Sequence, residues 1–226
     1  MSGAQPTAAP TAPAVQVEQA VHIEQVGVGP HPQPWPTGNQ WDPELLAHGD
    51  ARNVLDHYRY MTVDAIRADL DAQRNPQAHL HIAIENWHHD FNIGSVVRTA
   101  NAFNVAGVHI VGKRKWNRRG AMVTERYLHV QHHETPQHLQ EWAGTLPIVG
   151  IDNVPGSLPI ESATLPATGI LVFGQESTGL TPAMQEACQQ ILHITQYGST
   201  RSMNAGAAAA IAMYQWSTSH RKCVAS

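Results

Sequence analysis

Residues 169–180, Gly-Ile-Leu-Val-Phe-Gly-Gln-Glu-Ser-Thr-Gly-Leu, join an apolar run to a polar loop that contains two glycines. A short run of apolar residues predicts a strand that is buried on both faces of a parallel sheet. Gly174 and Gly179 permit a ligand to approach the loop backbone closely. The loop lacks the Lys-Ser/Thr pair of a Walker A motif, so it is not a phosphate loop of that class.

Similar apolar runs flank this segment, and stretches with helical periodicity separate them. The predicted strands span residues 80–84, 106–111, 146–151, 169–173 and 191–195, and the predicted helices span about 93–104, 136–143, 182–190 and 203–217. Strands that alternate with helices are typical of an α/β fold. We therefore expect a mostly parallel sheet with helices on both faces.

The chain before this sheet divides into two regions. The first 40 residues contain seven of the 15 prolines and no Lys or Arg, a composition that cannot repeat a hydrophobic face. We expect residues 1–48 to form a disordered, Pro-rich tail. Residues 49–76 carry apolar side chains at helical spacing and predict a short helical extension, in which Thr62 is the N-cap of the second helix. Residues 77–222 then form the main domain.

Composition excludes several classes of protein. The 226 residues include 14 Lys and Arg against 18 Asp and Glu, so the formal net charge is -4. Any contact with nucleic acid must therefore be local. Two cysteines are too few for a disulfide framework. Because no secretory signal and no apolar run of about 20 residues occurs, we expect a cytoplasmic protein with no membrane partner.

Polar residues occupy three loops that follow predicted strands. The first loop contains Asn92 and, six residues later, Arg98; the second contains Glu176; the third contains Ser202 and Asn204. Loops at the carboxyl ends of parallel strands are the usual ligand sites of α/β proteins. These five residues are therefore the candidate catalytic residues.

Each loop also has a purely structural interpretation. Asn92, Thr181 and Ser202 are suitable helix N-caps. Arg98, on a largely apolar helix, is equally suited to an ion pair with a carboxylate. The residues of any one loop, taken alone, leave this choice open.

Taken together, the three loops resemble the motifs of the SpoU (TrmH-like) branch of the SPOUT RNA methyltransferases. The matching residues are Asn92-x-Gly94-x-x-x-Arg98-Thr99-Ala100, then Phe173-Gly174-x-Glu176-x-x-Gly179-Leu180, then Ser202-x-Asn204-x-x-x-Ala208-Ala209. They occur in that order across about residues 80–217. The resemblance implies a C-terminal trefoil knot, which the strand pattern alone does not predict because knots are nearly absent from proteins.

The resemblance also implies an activity. It indicates transfer of a methyl group from S-adenosylmethionine to a ribose 2'-hydroxyl of tRNA or rRNA by a homodimer, without a metal. Arg98 would contact the target ribose and its phosphate. It would act either as a base or, because a guanidinium rarely loses its proton, as an electrostatic clamp. The residues implied in cofactor binding are Phe173, Gly174, Ile194, Gln196 and Met203.

One run of basic residues offers a local contact for RNA. Five of the 14 basic residues fall within seven positions, namely Lys113, Arg114, Lys115, Arg118 and Arg119. Trp116 lies within the run and suits stacking on a base. We predict an RNA-binding loop here and no DNA partner, the alternative being an ordinary solvated charge run.

Three competing hypotheses have less support in the sequence. A catalytically idle RNA-binding relative would have lost at least one motif residue, and none is lost. A dinucleotide-binding enzyme needs a G-x-G-x-x-G turn after the first strand, which residues 92–95 do not supply. A zinc site at His129, His132, His133 and Glu134 lacks an accompanying cysteine.

One departure from the family pattern is Asn104, where Gly is usual, although Asn tolerates a left-handed backbone.

Overall fold

The computed structural model describes residues 27–86, 92–175 and 177–221, and within these ranges seven strands form one parallel sheet. The strands are β1 (Leu80–Asn86), β2 (Gly107–Gly112), β3 (Val130–His133), β4 (Ile148–Ile151), β5 (Leu158–Pro159), β6 (Gly169–Phe173) and β7 (Gln190–His193). The α-helices are α1 (Pro43–His48), α2 (Val63–Ala72), α3 (Asn92–Ala102), α4 (Pro136–Ala143), α5 (Pro182–Ala187) and α6 (Ala205–His220).

The sheet has the order β3-β2-β1-β6-β4-β7-β5, and every pairing is parallel. Alternate residues of β1 face opposite sides. Ile82 and Ile84 join the core cluster that includes α3 and α6, whereas Ala83 joins the cluster that includes α4 and α5. This arrangement confirms the predicted α/β fold with helices on both faces.

Two strands have no counterpart in the sequence prediction. β3 and β5 lie at the two edges of the sheet. β3 exposes Val130 and contains Gln131, His132 and His133, while β5 has only two residues. An edge strand is half exposed, so it lacks the continuous apolar run that identifies a buried strand.

The expected boundary of the disordered tail at residue 48 is wrong for residues 27–48. Asp42 caps α1 by accepting from the backbone N–H groups of Glu44 and Leu45, and Pro43 occupies its first position. Val28 also pairs with Asp50 in an antiparallel bridge. The prediction failed because it took proline only as a sign of disorder, whereas proline at the first position favours the start of a helix. Residues 1–26 lie outside the described ranges, so their disorder stays a prediction.

The helical extension packs onto the main domain. Thr62 accepts from the Ala65 N–H at 3.2 Å, which confirms the predicted N-cap of α2. Ile66 lies in a small buried cluster with Tyr127 of the domain. Asn104 has φ of 41°, as expected for a left-handed position, and its Nδ2 donates to the carbonyl of Leu70 at 2.9 Å. The residue that departs from the family pattern therefore attaches α2 to the domain.

None of the helices in the described part of the chain has the length and apolar character that crossing a membrane requires.

Candidate functional site

A cavity of about 330 Å³ lies where β4, β6 and β7 end. Parallel register places these carboxyl ends side by side, since Ile151 is opposite both Phe173 and Leu192. All five residues that the sequence implies in cofactor binding line this cavity, namely Phe173, Gly174, Ile194, Gln196 and Met203. The structure thus brings together two loops that are about 20 residues apart in the chain.

The loop after β6 forms one wall of the cavity through its backbone. Gln175 and Gly179 exchange two backbone hydrogen bonds, of 3.1 and 2.9 Å, and Gly179 has φ of 66°. A Cβ atom on Gly174 would lie 2.1 Å from the carbonyl carbon of Gly179. The turn therefore requires glycine at both positions, because a side chain fits neither the contact nor the backbone angle. Glu176, the candidate carboxylate of this loop, lies outside the described residues.

A hydrogen bond joins two of the predicted catalytic residues. Asn204 Nδ2 donates to Asn92 Oδ1 at 2.8 Å, which ties the start of α6 to the start of α3. Asn204 Oδ1 also accepts from the backbone N–H groups of Gly206 and Ala207 at the N-terminus of α6. The interpretation of Ser202 as the helix cap is therefore wrong. Ser202 instead lines the cavity.

Arg98 is exposed on α3, whose Val96, Val97 and Ala100 are buried. Within the described ranges, no ion pair joins Arg98 to a carboxylate. These residues therefore give no support to a purely structural role of Arg98 in an ion pair. Arg98 is not among the residues that line the cavity. Its guanidinium is accessible to a ligand that approaches from solvent.

The basic run follows β2, and a buried side chain fixes the backbone at its start. Asn86 is fully buried, and its Nδ2 donates to the carbonyls of Lys113 and Lys115 at 2.6 and 3.0 Å. Trp116 is half-buried against the core, and the Arg118 guanidinium lies 5.6 Å from its ring centroid. The ring thus anchors the loop, and its stacking on a base stays a prediction.

The end of the basic run touches α3. A Cβ atom on Gly94 would lie 2.8 Å from the backbone nitrogen of Gly120, so the two backbones are in close contact. Arg98 follows Gly94 by about one turn of the helix. The five basic residues of the run are all exposed.

Sequence reasoning missed several polar residues of the cavity, chiefly Asp152, Asn153 and Arg201. Asp152 accepts from the backbone N–H groups of Leu180 and Asn153, each at 2.7 Å. Asn153 Nδ2 donates to the carbonyl of Arg201 at 3.1 Å. Asp152 and Asn153 directly follow the predicted strand 146–151, so the same strand-end rule that selected the other loops would have found them.

The histidines suggested as a zinc site have separate partners. His129 contacts Asp71 at 2.9 Å, His132 contacts the carbonyl of Gly112 at 2.7 Å, and His133 contacts His109 at 2.8 Å. His109 in turn contacts His81 at 3.0 Å. Burial lowers the pKa of His81 to about 4 and of His109 to about 3. Within the described residues, no three metal-ligating side chains meet in a suitable group.

Comparison with known families decides the assignment. The profile of the SpoU rRNA Methylase family matches residues 79–214. The chain belongs to this family. The match includes all three motif loops and leaves outside it residues 27–78, which contain the extension.

Curated relatives of this SpoU chain are similar over the same region. An uncharacterised tRNA/rRNA methyltransferase of Mycolicibacterium vanbaalenii is 27% identical over 164 residues, which cover 69% of this chain and 51% of the relative. The 23S rRNA (guanosine-2'-O-)-methyltransferase RlmB of Acinetobacter baylyi is 28% identical over 158 residues, which cover 65% of this chain and 63% of the relative. The chain thus spans about half the length of the first of these relatives.

Solved structures share the fold of the SpoU domain. AviRb of Streptomyces viridochromogenes, in complex with AdoMet, has a TM-score of 0.57 and 24% identity, with 67% of this chain and 61% of AviRb covered. The TrmH/SpoU tRNA modifying enzyme of A. aeolicus has a TM-score of 0.59 and 23% identity, with 69% of this chain and 81% of that enzyme covered. These similarities support the α/β architecture and imply the C-terminal knot.

Proposed function

We propose that this chain is an S-adenosylmethionine-dependent RNA methyltransferase that acts on a ribose 2'-hydroxyl of tRNA or rRNA. The observation that carries the proposal is the cavity in which Phe173, Gly174, Ile194, Gln196 and Met203 meet. Family membership and the names of the relatives support the same chemistry. The catalytic domain proposed for this activity spans residues 77–222.

The cavity fits an adenosine-containing cofactor. Its volume of about 330 Å³ is within the usual range for ligand pockets, about 300–1,000 Å³. Apolar side chains of Ile151, Phe173 and Met203 suit an adenine ring, and the Gly174–Gly179 turn offers backbone groups that read a base edge without charge. When bound, S-adenosylmethionine supplies an electrophilic methyl group.

The residues of the chain must then activate and position the ribose. A hydroxyl is a weak nucleophile near neutral pH, so its proton must be removed while oxygen and methyl carbon are aligned. We assign Arg98 the role of holding the ribose and its phosphate and of stabilising the oxygen as negative charge develops. The hydroxyl proton passes to water, since Arg98 is exposed to solvent. The Asn92–Asn204 hydrogen bond keeps α3, which carries Arg98, in fixed relation to α6. Ser202 and Glu176 complete the proposed site.

The basic run supplies the proposed contact with RNA. Lys113, Arg114, Lys115, Arg118 and Arg119 are exposed and lie in a loop fixed by Asn86. A fixed loop binds phosphates without first losing conformational freedom. Gly120, which directly follows this run, contacts Gly94 of α3, the helix that carries Arg98.

We further propose that the protein is a homodimer. α6 is apolar on both its faces, and Ala207, Ile211 and Tyr214 form an exposed stripe with i, i+4, i+7 spacing. Such a stripe is typical of a helix that packs against a partner. A second copy of this chain is the proposed occupant. The cytoplasmic location predicted from the sequence stays part of this proposal.

Calorimetry followed by a transfer assay tests the proposed activity. We expect S-adenosylmethionine to bind and NAD not to bind, and we expect labelled methyl to pass from the bound cofactor to total RNA. Digestion of that RNA would recover the label in 2'-O-methylated nucleotides. Cofactor binding and RNA binding without transfer would favour the idle relative, and no cofactor binding would overturn the proposal.

A further inference from the structure

The cavity is lined by charged side chains as well as by apolar ones. Arg201 is the single Lys or Arg among its described lining residues, and Asp152 is the single carboxylate. No ion pair joins the two side chains in the described structure. The two opposite charges therefore face the same cavity without neutralising each other.

Hydrogen bonds to neighbouring residues fix Asp152 and the backbone of Arg201. Asp152 is held by the N–H groups of Leu180 and Asn153, each at 2.7 Å. The Arg201 backbone is held through its carbonyl, which accepts from Asn153 Nδ2 at 3.1 Å. The loop after β4 and the segment before α6 thus carry the two charges as one unit.

Arg201 also borders a second cavity of about 440 Å³. Four residues, Asn153, Ile194, Gln196 and Arg201, line both cavities, so the two are adjacent. The second cavity is lined mainly by polar side chains, including His193 and Thr200. Arg201 therefore borders both cavities, and a polar surrounding accommodates a charged group of a ligand better than an apolar group.

We propose that Arg201 binds the carboxylate of the methionyl group of the cofactor, and that the site thereby selects S-adenosylmethionine and S-adenosylhomocysteine over adenosine thioethers without a carboxylate. This inference rests on the proposed function, because it concerns the same cavity. Arg is suited to this task since its guanidinium donates two parallel hydrogen bonds to a carboxylate. Asp152 supplies the complementary charge for the neighbouring ammonium group, with lone pairs still available on its two oxygens.

Two ligands that differ by the amino-acid group test the assignment by calorimetry, with no need for turnover. S-adenosylhomocysteine carries the carboxylate, and 5'-methylthioadenosine does not. For the full chain we expect S-adenosylhomocysteine to bind more tightly. In Arg201→Gln we expect its affinity to fall about tenfold or more, as for the loss of a hydrogen bond to a charged group, while the affinity for 5'-methylthioadenosine changes less than about twofold.

Two matched variants complete the design. Arg201→Lys keeps the charge but loses the paired donors, so we expect an intermediate affinity for S-adenosylhomocysteine. Arg126→Gln removes an exposed arginine away from both cavities, and we expect it to bind both ligands like the unaltered chain. Circular dichroism of each variant checks that the fold is kept.

The remaining outcomes separate the two proposals. If the unaltered chain binds neither ligand, the proposed function fails and this inference fails with it. If it binds both but Arg201→Gln weakens them equally or not at all, the cofactor site stands and the assignment of Arg201 is overturned. A loss of RNA affinity alone in Arg201→Gln would assign the guanidinium to an RNA phosphate and likewise overturn it.

Discussion

The extension and the main domain use their positive charges differently. Arg52, Arg59, Arg67 and Arg74 each pair with an aspartate of the extension itself. In the described part of the domain, from residue 77 onward, no Lys or Arg forms an ion pair. The arginines of the extension are therefore neutralised by its own aspartates, and these pairs hold the extension together. Within the described residues, the cations of the domain have no carboxylate partner, as the proposed contact of a chain of charge -4 with RNA requires.

Removal of Arg98 should have the strongest consequence of any change in the domain. We expect Arg98→Ala to lower the rate of methyl transfer at least about a hundredfold, since it removes charge stabilisation at the reacting oxygen. Cofactor affinity should change less than about threefold, because Arg98 does not line the cavity. Single-turnover transfer and calorimetry measure the two effects.

Arg67→Ala is the matched control from the extension. Arg67 pairs with Asp64 at 3.2 Å, and we expect its loss to leave transfer nearly unchanged. Equal loss of transfer in both variants would show that the extension also takes part in the reaction and would remove the distinction between the two regions.

The second effect concerns stability. Asp50 is fully buried and binds Arg52 at 2.6 Å and the Tyr60 N–H at 3.0 Å. Burial opposes the charge of Asp50, yet these hydrogen bonds lower its pKa to about 2. We expect Asp50→Ala to lower the free energy of unfolding by about 2 kcal/mol, because it leaves the Arg52 guanidinium and the Tyr60 N–H without their acceptor. Urea unfolding measures the change, and transfer by the folded variant should be kept.

The third effect concerns RNA affinity. A triple variant, Lys113→Gln with Lys115→Gln and Arg119→Gln, should weaken RNA binding about tenfold at moderate salt. The slope of log affinity against log salt should become shallower by about 0.7 to 0.9 for each phosphate that the variant no longer neutralises. Filter binding across a salt series measures both quantities. An unchanged slope would show that the basic run is an ordinary solvated surface, whereas Arg67→Gln should leave the slope as it was.

The fourth effect concerns the different response of the two regions to pH. The pKa of His109 is lowered to about 3 and that of His81 to about 4, so both are neutral in the folded sheet. Unfolding lets them take up protons below their ordinary pKa of about 6.5, so their stabilisation is lost as pH falls from about 6.5 towards 4. Asp50 keeps its contribution until pH falls below about 4, its ordinary range.

Urea unfolding at pH 7 and pH 5 tests this difference. We expect the chain to lose on the order of 1 kcal/mol per pH unit for each buried histidine over this interval. His109→Gln should show a smaller loss than the unaltered chain. A loss of the same size in the variant would mean that other groups control the acid response.

The sequence predicted the elements whose residues are buried on a regular period. The prediction 136–143 coincides with α4, and the runs 106–111 and 169–173 match β2 and β6 within one residue. Their apolar periodicity reflects burial directly. α1 was missed because a proline-rich composition hid a helix start, and β3 was missed because an edge strand needs no apolar run.

Only some residues of the candidate site were predicted from the sequence. The cofactor candidates follow from the family resemblance, and the structure places all five at one cavity. Asp152 belongs to no quoted motif, although it directly follows the predicted strand 146–151. Arg201 was missed because it also belongs to no quoted motif and lines the same cavity only when β4 and β7 become neighbours. Local pattern alone does not reveal which strands become neighbours, and for the same reason it does not reveal the knot.

A crystal structure of the chain with S-adenosylhomocysteine would settle where the cofactor binds. We expect the adenosine group in the cavity bordered by Phe173, Gly174, Ile194 and Met203, with the carboxylate of the ligand towards Arg201. Ligand density at any other place on the molecule would contradict the proposed cofactor site and the mechanism built on it.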